Sequence, residues 1–259
     1  MKLSTLVTFG LVLAAAPAFA QPAAPASVSS KVWIDVNLGI ANPAQKELAT
    51  ASTWIRFREV ASQAAAYEFS RGASFDFGGG YMINKGLGVG ISFTGTAHQG
   101  PAGLAIAVPH PIWANDYAYD ASVTNENLTR SEGGINFQVV GKATSKSGRA
   151  ELKVFGGPTF FRLQGDAVSI LHFVQASTLF GNPDNAVAIT GYESESINNT
   201  GWGLHGGVDG SYFFSRHVGV GGVLRLSRGT VAVDDPMSLD SVDVKVGGIQ
   251  TAGGVRFRF

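Results

Sequence analysis

The chain has 259 residues with 19 basic and 19 acidic side chains, no cysteine, 34 glycines, and 45% hydrophobic against 15% charged residues. The balanced charge excludes the basic surface that nucleic-acid binding requires, and the absence of cysteine excludes disulfides, thiolate-bound metals and a cysteine-linked lipid anchor. Charged residues make up about a quarter of an ordinary soluble domain. Their scarcity here indicates that part of the protein surface faces something other than water.

The first twenty residues have the three parts of a secretory signal peptide. A positively charged start is followed by an almost continuous apolar run and by a small-residue cleavage site formed by Ala18 and Ala20. We expect cleavage before Gln21, followed by a flexible lead-in rich in proline, alanine and serine over residues 21–30. The alternative is an uncleaved anchor, although the apolar run is short for a spanning helix.

Past the lead-in, no apolar run reaches the roughly 20 residues that a membrane-spanning helix needs. Alternation with a period of two begins instead, because Val32, Val36 and Ile40 share one face while Asp35 and Asn37 share the other. Such a period is typical of a β-strand. If the mature chain crosses a membrane, it must do so as a closed barrel, because an open sheet would leave backbone groups unpaired in lipid.

Three pairs of alternating segments follow, each joined by a short turn. The turns lie at 84–86, 145–148 and 215–217, and a last alternating segment runs to Phe259. With the first strand they predict eight antiparallel strands, although a hairpin within 50–70 could raise the number to ten or project outwards. The long connections lie at about 43–72, 98–131, 165–200 and 229–241. Short turns at one end and long loops at the other are typical of outer-membrane barrels, in which the turns are periplasmic.

Aromatic residues provide a separate indication of this topology, since spanning barrels carry an aromatic girdle at each membrane interface. With strands running alternately up and down, the aromatic residues separate into two groups. The periplasmic group is predicted to contain Trp33, Tyr81, Tyr212, Phe213, Phe214, Phe257 and Phe259, and the outer group Phe93, Phe160, Phe161 and Trp202. A soluble eight-stranded barrel has no reason to carry two such girdles.

The last strand carries the most specific signal, a terminal phenylalanine preceded by apolar residues on the same face. These residues are Ile249, Val255, Phe257 and Phe259. Here the chain resembles bacterial outer-membrane β-barrel proteins, most of all the small OmpA-like and opacity-type barrels, over about residues 31–259. The resemblance implies an all-β, closed, antiparallel, up-and-down barrel surrounded by outer-membrane lipid. It also implies that the last strand is recognised by the barrel-assembly machinery, through the strand addition that an exposed edge permits.

Polar residues on the opposite strand faces would point into the barrel. An eight-stranded barrel is just wide enough for side chains to fill, and buried charges must be paired. We therefore predict a charged network that closes the lumen, with Asp209 paired to Arg256 or Arg258. Its predicted members are Asp35, Asp76, Lys142, Glu151, Lys153, His205, Asp209, Arg225, Arg256 and Arg258. The alternative is a narrow polar pore with a charge filter.

No motif in the sequence carries recognisable chemistry. The G-x-G-x-x-G match at 201–206 lies in an alternating segment and lacks the following helix that a dinucleotide site needs. An outer-rim hydrolase or acyltransferase would have to use residues that no spacing selects, namely His98, His172, Ser122, Ser131 and Asp166. We therefore predict no enzyme activity, no cofactor and no metal site.

The leading functional hypothesis is a membrane-embedded scaffold that presents long extracellular loops. A small channel or transporter for hydrophobic or small polar solutes is the alternative, and fold alone does not choose between them. Apolar segments at 103–108 and 170–180 indicate either outward extension of the strands with loop packing above the membrane, or an exposed binding surface. The sequence does not identify a ligand for the loops.

Overall fold

The protein was analysed as a computed structural model that describes residues 30–124, 128–176, 186–238 and 240–259. Within these ranges the strands are β1 Val32–Pro43, β2 Glu47–Arg56, β3 Glu59–Glu68, β4 Gly72–Met82, β5 Leu87–Gly100, β6 Ala102–Pro109, β7 Tyr117–Val123, β8 Leu128–Thr144, β9 Ala150–Ala176, β10 Ala186–Phe213, β11 Val218–Asp234 and β12 Ser241–Arg258. No helix in the described ranges is long and apolar enough to cross a membrane. The predicted cleavage site at Ala18, Ala20 and Gln21 lies outside the described residues.

Eight of these strands close into one antiparallel barrel, in the order β1-β12-β11-β10-β9-β8-β5-β4. The ring is closed by β1 and β12, which pair from Trp33 opposite Arg258 to Pro43 opposite Gly248. The prediction of eight barrel strands is confirmed. The hairpin within 50–70 does not join the ring, because β2 pairs with β3, and β3 pairs with β6.

Strand alternation gives this barrel an apolar exterior and a largely polar interior. On β1, Leu38 is 73% exposed on the outside, whereas its neighbour Asn37 is only 2% exposed on the inside. Exposed Val, Leu, Ile or Phe side chains recur on the outside of every barrel strand. Water does not favour so continuous an apolar surface, so the barrel exterior is suited to a hydrocarbon surrounding.

The three short turns and both described chain ends lie at one end of the barrel, which we call the turn end. In the first turn, the Asn84 Oδ1 accepts the N–H of Leu87 at 2.8 Å, which holds the reversal between β4 and β5. Beside it, the Lys31 N–H donates to the Phe259 carbonyl at 2.7 Å. The turns are placed as the sequence predicts.

The long connections at the opposite end are largely β-structure, and the hairpin within 50–70 projects outwards, as one of the two alternatives predicted. β9 and β10 continue to pair beyond the barrel, out to Ala176 opposite Ala186, with two register shifts in the ladder. β2, β3, β6 and β7 form a separate sheet in the order β2-β3-β6-β7. This four-stranded sheet, together with residues 165–176 of β9 and 186–197 of β10, is called the headpiece below.

One apolar core joins the four-stranded sheet to the β9–β10 extension. Tyr67 on β3, Leu104 on β6 and Val168 on β9 are almost completely buried in it. The Val168 N–H donates to the Tyr67 hydroxyl at 2.8 Å, and burial raises the pKa of that hydroxyl. Because the sheet packs on the extension through this core, the headpiece is a packed unit at the end of the barrel opposite the turns.

The two predicted aromatic girdles are only partly correct. Tyr81, Tyr212, Phe214 and Phe259 are exposed around the turn end, and Trp202 packs edge-on against Phe160 at the other rim, with ring centroids 5.2 Å apart. Three predicted members, Trp33, Phe161 and Phe213, are instead buried in the barrel interior. The strand period explains this error, because each of them occupies an inward position between two outward-facing neighbours.

Candidate functional site in the barrel lumen

A four-membered ion network fills the lumen near the turn end. Arg256 is fully buried, and its Nε and Nη2 donate to Asp209 Oδ2 at 3.0 and 2.5 Å. Lys153 Nζ donates to Asp35 Oδ2 at 2.6 Å and lies 3.9 Å from Asp209 Oδ1. Arg256 Nε also approaches Asp35 Oδ1, at 3.4 Å. Two cations thus share two carboxylates, so the network carries no formal net charge.

Three further buried ion pairs occupy other levels of the interior. From the turn end to the headpiece end they are Arg258 with Glu151 at 2.5 Å, Arg225 with Asp76 at 2.5 Å, and Arg130 with Glu132 at 2.8 Å. Each pair is neutral, and each is held by further hydrogen bonds from its arginine. Arg130 Nη2, for example, donates to the Lys245 carbonyl at 2.6 Å. Such additional bonds are needed when both charges leave water.

A chain of uncharged polar side chains crosses the middle of the lumen. Asn136 Nδ2 donates to Ser92 Oγ at 3.2 Å, and Arg225 Nη2 donates to the same oxygen at 3.1 Å. The Thr159 hydroxyl donates to Asn136 Oδ1 at 2.8 Å. Since that proton is engaged, the contact of 2.8 Å between Thr159 Oγ1 and His205 Nδ1 requires the imidazole to donate. The chain therefore links four strands across the interior.

Little empty space remains between these side chains. Cavities of about 20 Å³ lie beside Asp35 and Arg225 and beside Glu132 and Gln250, and one of about 40 Å³ lies at the headpiece end beside Arg130 and Leu163. Each of the two smaller cavities holds about one water molecule. On the headpiece side the interior is lined by an apolar layer made of Phe161, Leu163, Val231, Val233, Val244 and Val246.

The predicted lumen residues are placed as follows. Asp35, Asp76, Glu151, Lys153, Asp209, Arg225, Arg256 and Arg258 lie inside in ion pairs, and His205 lies inside in the uncharged chain. Lys142 is the exception: it lies half-buried at the turn end, opposite Lys153 in the ladder, and forms no ion pair with any described residue. Repulsion from Lys153, which lies directly opposite on the neighbouring strand, disfavours an inward position of the Lys142 ammonium group.

The sequence reasoning missed the ion pair of Arg130 and Glu132. It assigned residues up to 131 to a loop, whereas β8 begins at Leu128. The signal was present, because Arg130 and Glu132 continue the two-residue period of the inward-facing Asn136. Counting back from Asn136 along β8 in steps of two residues places both Glu132 and Arg130 on the inward face.

The outer-rim residues considered for an enzyme do not converge. His98 is buried, with its Nδ1 3.0 Å from the Ser70 carbonyl, and exposed His172 contacts Glu193 at 2.9 Å. The Asp166 carboxylate accepts hydrogen bonds from the hydroxyl groups of two other residues, Thr129 and Ser196. Ser122 and Ser131 contact none of these three side chains in the described structure. Nor do the described residues include a cluster of three side chains suited to a metal.

The glycine motif at 201–206 lies inside β10. A Cβ atom on Gly203 would lie 2.3 Å from the Arg228 carbonyl oxygen on β11, so only glycine permits this close approach of the strands. The motif thus serves strand packing, and no helix follows it to bind a phosphate.

The residues of the proposed assembly signal lie on the lipid side of β12. Ile249 and Val255 are exposed, and the ring of Phe259 stacks on His217 with centroids 5.7 Å apart. The Phe259 N–H donates to the Val32 carbonyl at 2.8 Å, so the terminal residue helps to close the ring. Phe257 is half-buried one strand period before it. Recognition of this strand by assembly machinery stays a prediction.

Comparisons with known proteins agree with this architecture. The model of the family "Outer membrane protein beta-barrel domain" matches residues 11–257. Among solved structures, the chain is similar to the outer membrane protein OprG from Pseudomonas aeruginosa, with a TM-score of 0.50, 9% identity, and coverage of 89% of this chain and 96% of that chain. At this identity the likeness supports the fold alone. No curated protein matches the chain.

Two further solved structures are similar at lower scores. One is Ail, the attachment invasion locus protein of Yersinia pestis, in complex with the heparin analogue sucrose octasulfate (TM-score 0.37, 13% identity, covering 88% of this chain and 99% of that chain). The other is the outer membrane protease OmpT from Escherichia coli (TM-score 0.43, 11% identity, covering 88% and 97%). The family match extends over almost the whole chain and agrees with the closed barrel and its apolar exterior. The chain therefore belongs to the outer membrane protein beta-barrel family of the bacterial outer membrane.

Proposed function

We propose that the protein is a structural and interaction barrel, a membrane-embedded scaffold whose closed lumen supports an extracellular headpiece. The observation that carries this proposal is the buried, neutral set of ion pairs across the barrel interior. Five cations face five carboxylates in it, and every one has an opposite charge within 4 Å. A side-chain set of this kind is suited to filling a small barrel and holding its strands in register.

The charge arrangement favours closure over conduction. A pore selects ions with rings of one sign of charge beside a continuous water path. Here the charges alternate in sign and engage each other, and the two smaller cavities beside them have room for about one water each. An ion entering this interior would have to separate buried pairs, which costs several kcal/mol for each charge left alone.

The headpiece supports the second half of the proposal. In outer-membrane barrels the short turns are periplasmic and the long connections extracellular, so the headpiece faces the outside of the cell. Binding surfaces are commonly carried by such projecting segments on a rigid scaffold. The channel and hydrolase alternatives lack comparable support, because the described residues offer neither a continuous cavity nor a relay of serine, histidine and carboxylate.

Planar-bilayer recording tests the closed lumen. The refolded protein, verified by heat-modifiable migration in gels, is expected to insert without producing stable unitary current steps. The double variant Arg225→Ala and Asp76→Ala removes one neutral pair from the middle of the lumen, but the pairs at the other levels and the apolar layer remain, so this variant is also expected to give no current steps. Stable unitary current steps in the unmodified protein would refute the proposal.

A further inference from the structure

The outer face of the four-stranded sheet carries no charged side chain over four rows of residues. Strand registers align these rows across β2, β3, β6 and β7. The rows are Ala49, Ala66, Gly103 and Val123; Ala51, Ala64, Ala105 and Ala121; Thr53, Ser62, Ala107 and Tyr119; and, in a shorter fourth row, Ile55 and Val60. Among the described positions of this face, charges appear only at its base, where Glu47 stands opposite Glu68.

This face has no cover within the described chain except at the corner of Pro109, which is fully buried. The opposite face of the sheet is the one that packs on the β9–β10 extension, so the outer face points away from the headpiece core. Ile55, Tyr119 and Val123 are 69%, 74% and 68% exposed on it. Unlike the apolar barrel exterior, it stands beyond the rim of the barrel, where lipid does not surround it. A large uncharged apolar face in water marks an interaction surface.

The side chains of this face are mostly small, which makes it nearly flat. Alanines occupy all four positions of the second row, Ala51, Ala64, Ala105 and Ala121. With strands about 4.8 Å apart and a rise of about 3.3 Å per residue, the four rows cover about 450 Å². A flat sheet face of small residues is suited to close packing against a second sheet.

We propose that the second sheet is that of another copy of this chain, so that two barrels dimerise in the membrane through their headpieces. An uncharged face is self-complementary, because stacking two copies brings no like charges together on its four rows. A twofold axis along the membrane normal places the same patch on both copies while both barrels keep one orientation. The inference rests on the proposed scaffold function, to which it adds the partner.

The area supports a dimer of membrane-held chains. Two faces together bury about 900 Å², somewhat less than the roughly 1,000 Å² of specific interfaces between freely diffusing proteins. Barrels in one membrane already share their orientation and the height of their headpieces, so association loses less rotational and translational freedom than in solution. A marginal area is therefore enough here.

Thiol cross-linking in intact cells tests the interface, since the chain has no cysteine of its own. Ala64→Cys places a thiol near the centre of the face, and Ser194→Cys places one at an exposed position of β10 outside it. Packed sheets lie about 10 Å apart, so a bifunctional reagent of about that span is used. We expect at least about tenfold more cross-linked dimer with Ala64→Cys than with Ser194→Cys, a difference of about 1.4 kcal/mol. Equal yields would overturn the proposal.

A charge placed in the face provides the matched comparison. In the Ala64→Cys background, Ala105→Glu sets two carboxylates against each other across the axis, and Ala105→Ser keeps the site small and uncharged. The first change is expected to lower the dimer yield about tenfold and the second to leave it within about twofold, both with unchanged heat-modifiable migration. Co-expression of Ala105→Glu with Ala105→Lys chains is expected to restore the yield. Insensitivity to Ala105→Glu, or cross-linking to a different protein, would overturn the dimer while leaving the bilayer-current test of the scaffold unaffected.

Discussion

Replacement of Arg256 by alanine is expected to lower the free energy of unfolding of the barrel by about 3–5 kcal/mol, the cost of leaving a buried charge without its partner. Arg256 is fully buried and contacts both Asp209 and Asp35. Without it, Lys153 alone faces two carboxylates. The measurement is urea unfolding of the protein folded into lipid vesicles, followed by tryptophan fluorescence and by heat-modifiable migration.

Two control variants separate the loss of the buried ion pair from the loss of an arginine side chain as such. Arg71→Ala removes an exposed arginine between β3 and β4 and is expected to change the unfolding free energy by less than about 0.5 kcal/mol. The double variant Arg256→Met and Asp209→Leu removes one charge of each sign and leaves Lys153 with Asp35, so it is expected to recover most of the lost stability. An Arg256→Ala protein as stable as the Arg71→Ala protein would show that the network does not hold the barrel together.

The second large effect is expected in the headpiece. Leu104→Ala removes a side chain that is only 2% exposed and lies in the core between the four-stranded sheet and the β9–β10 extension. Such a replacement costs about 2–5 kcal/mol. Because this core lies outside the barrel ring, the loss is expected to open the headpiece to protease while the barrel keeps its folded migration in gels.

The matched control is Ile55→Ala, which shortens an apolar side chain that is 69% exposed on the outer face of the same sheet. Protease sensitivity is expected to stay at the level of the unmodified protein. If Leu104→Ala unfolded the barrel and the headpiece together, the two would be one cooperative unit, and the description of the headpiece as a separately packed structure would be wrong.

The barrel was predictable from the sequence because one physical rule acts at nearly every position. A strand between lipid and a filled lumen must alternate, so Leu38 outside and Asn37 inside follow from the two-residue period. The same rule exposes the errors. Trp33 was assigned to an interfacial girdle by residue type, although its position in the period places it in the lumen. Residue type was a weaker guide than the position of the residue in the strand.

The headpiece was not predictable in the same way. Most positions of its outer face are alanine, serine, threonine or glycine, so the contrast between apolar and polar positions that reveals a strand is weak over 47–68 and 102–123. The turn of the β2–β3 hairpin adds to the difficulty, because Phe57 and Arg58 have positive φ angles of 53° and 69° where glycine or asparagine is usual. Tertiary packing on β9 and β10 fixes these strands, and a single sequence does not display it.

Chemical labelling of a thiol in the lumen tests the closed barrel most directly. Ser92 is 1% exposed in the middle of the interior, and Ser147 is exposed in a turn at the turn end of the barrel. In a chain without native cysteine, Ser147→Cys is expected to react rapidly with a small water-soluble thiol reagent, whereas Ser92→Cys in the folded barrel is expected to react at least about a hundredfold more slowly, since access requires an opening worth at least about 2.7 kcal/mol. Equal rates for the two thiols in the folded protein would contradict a closed lumen.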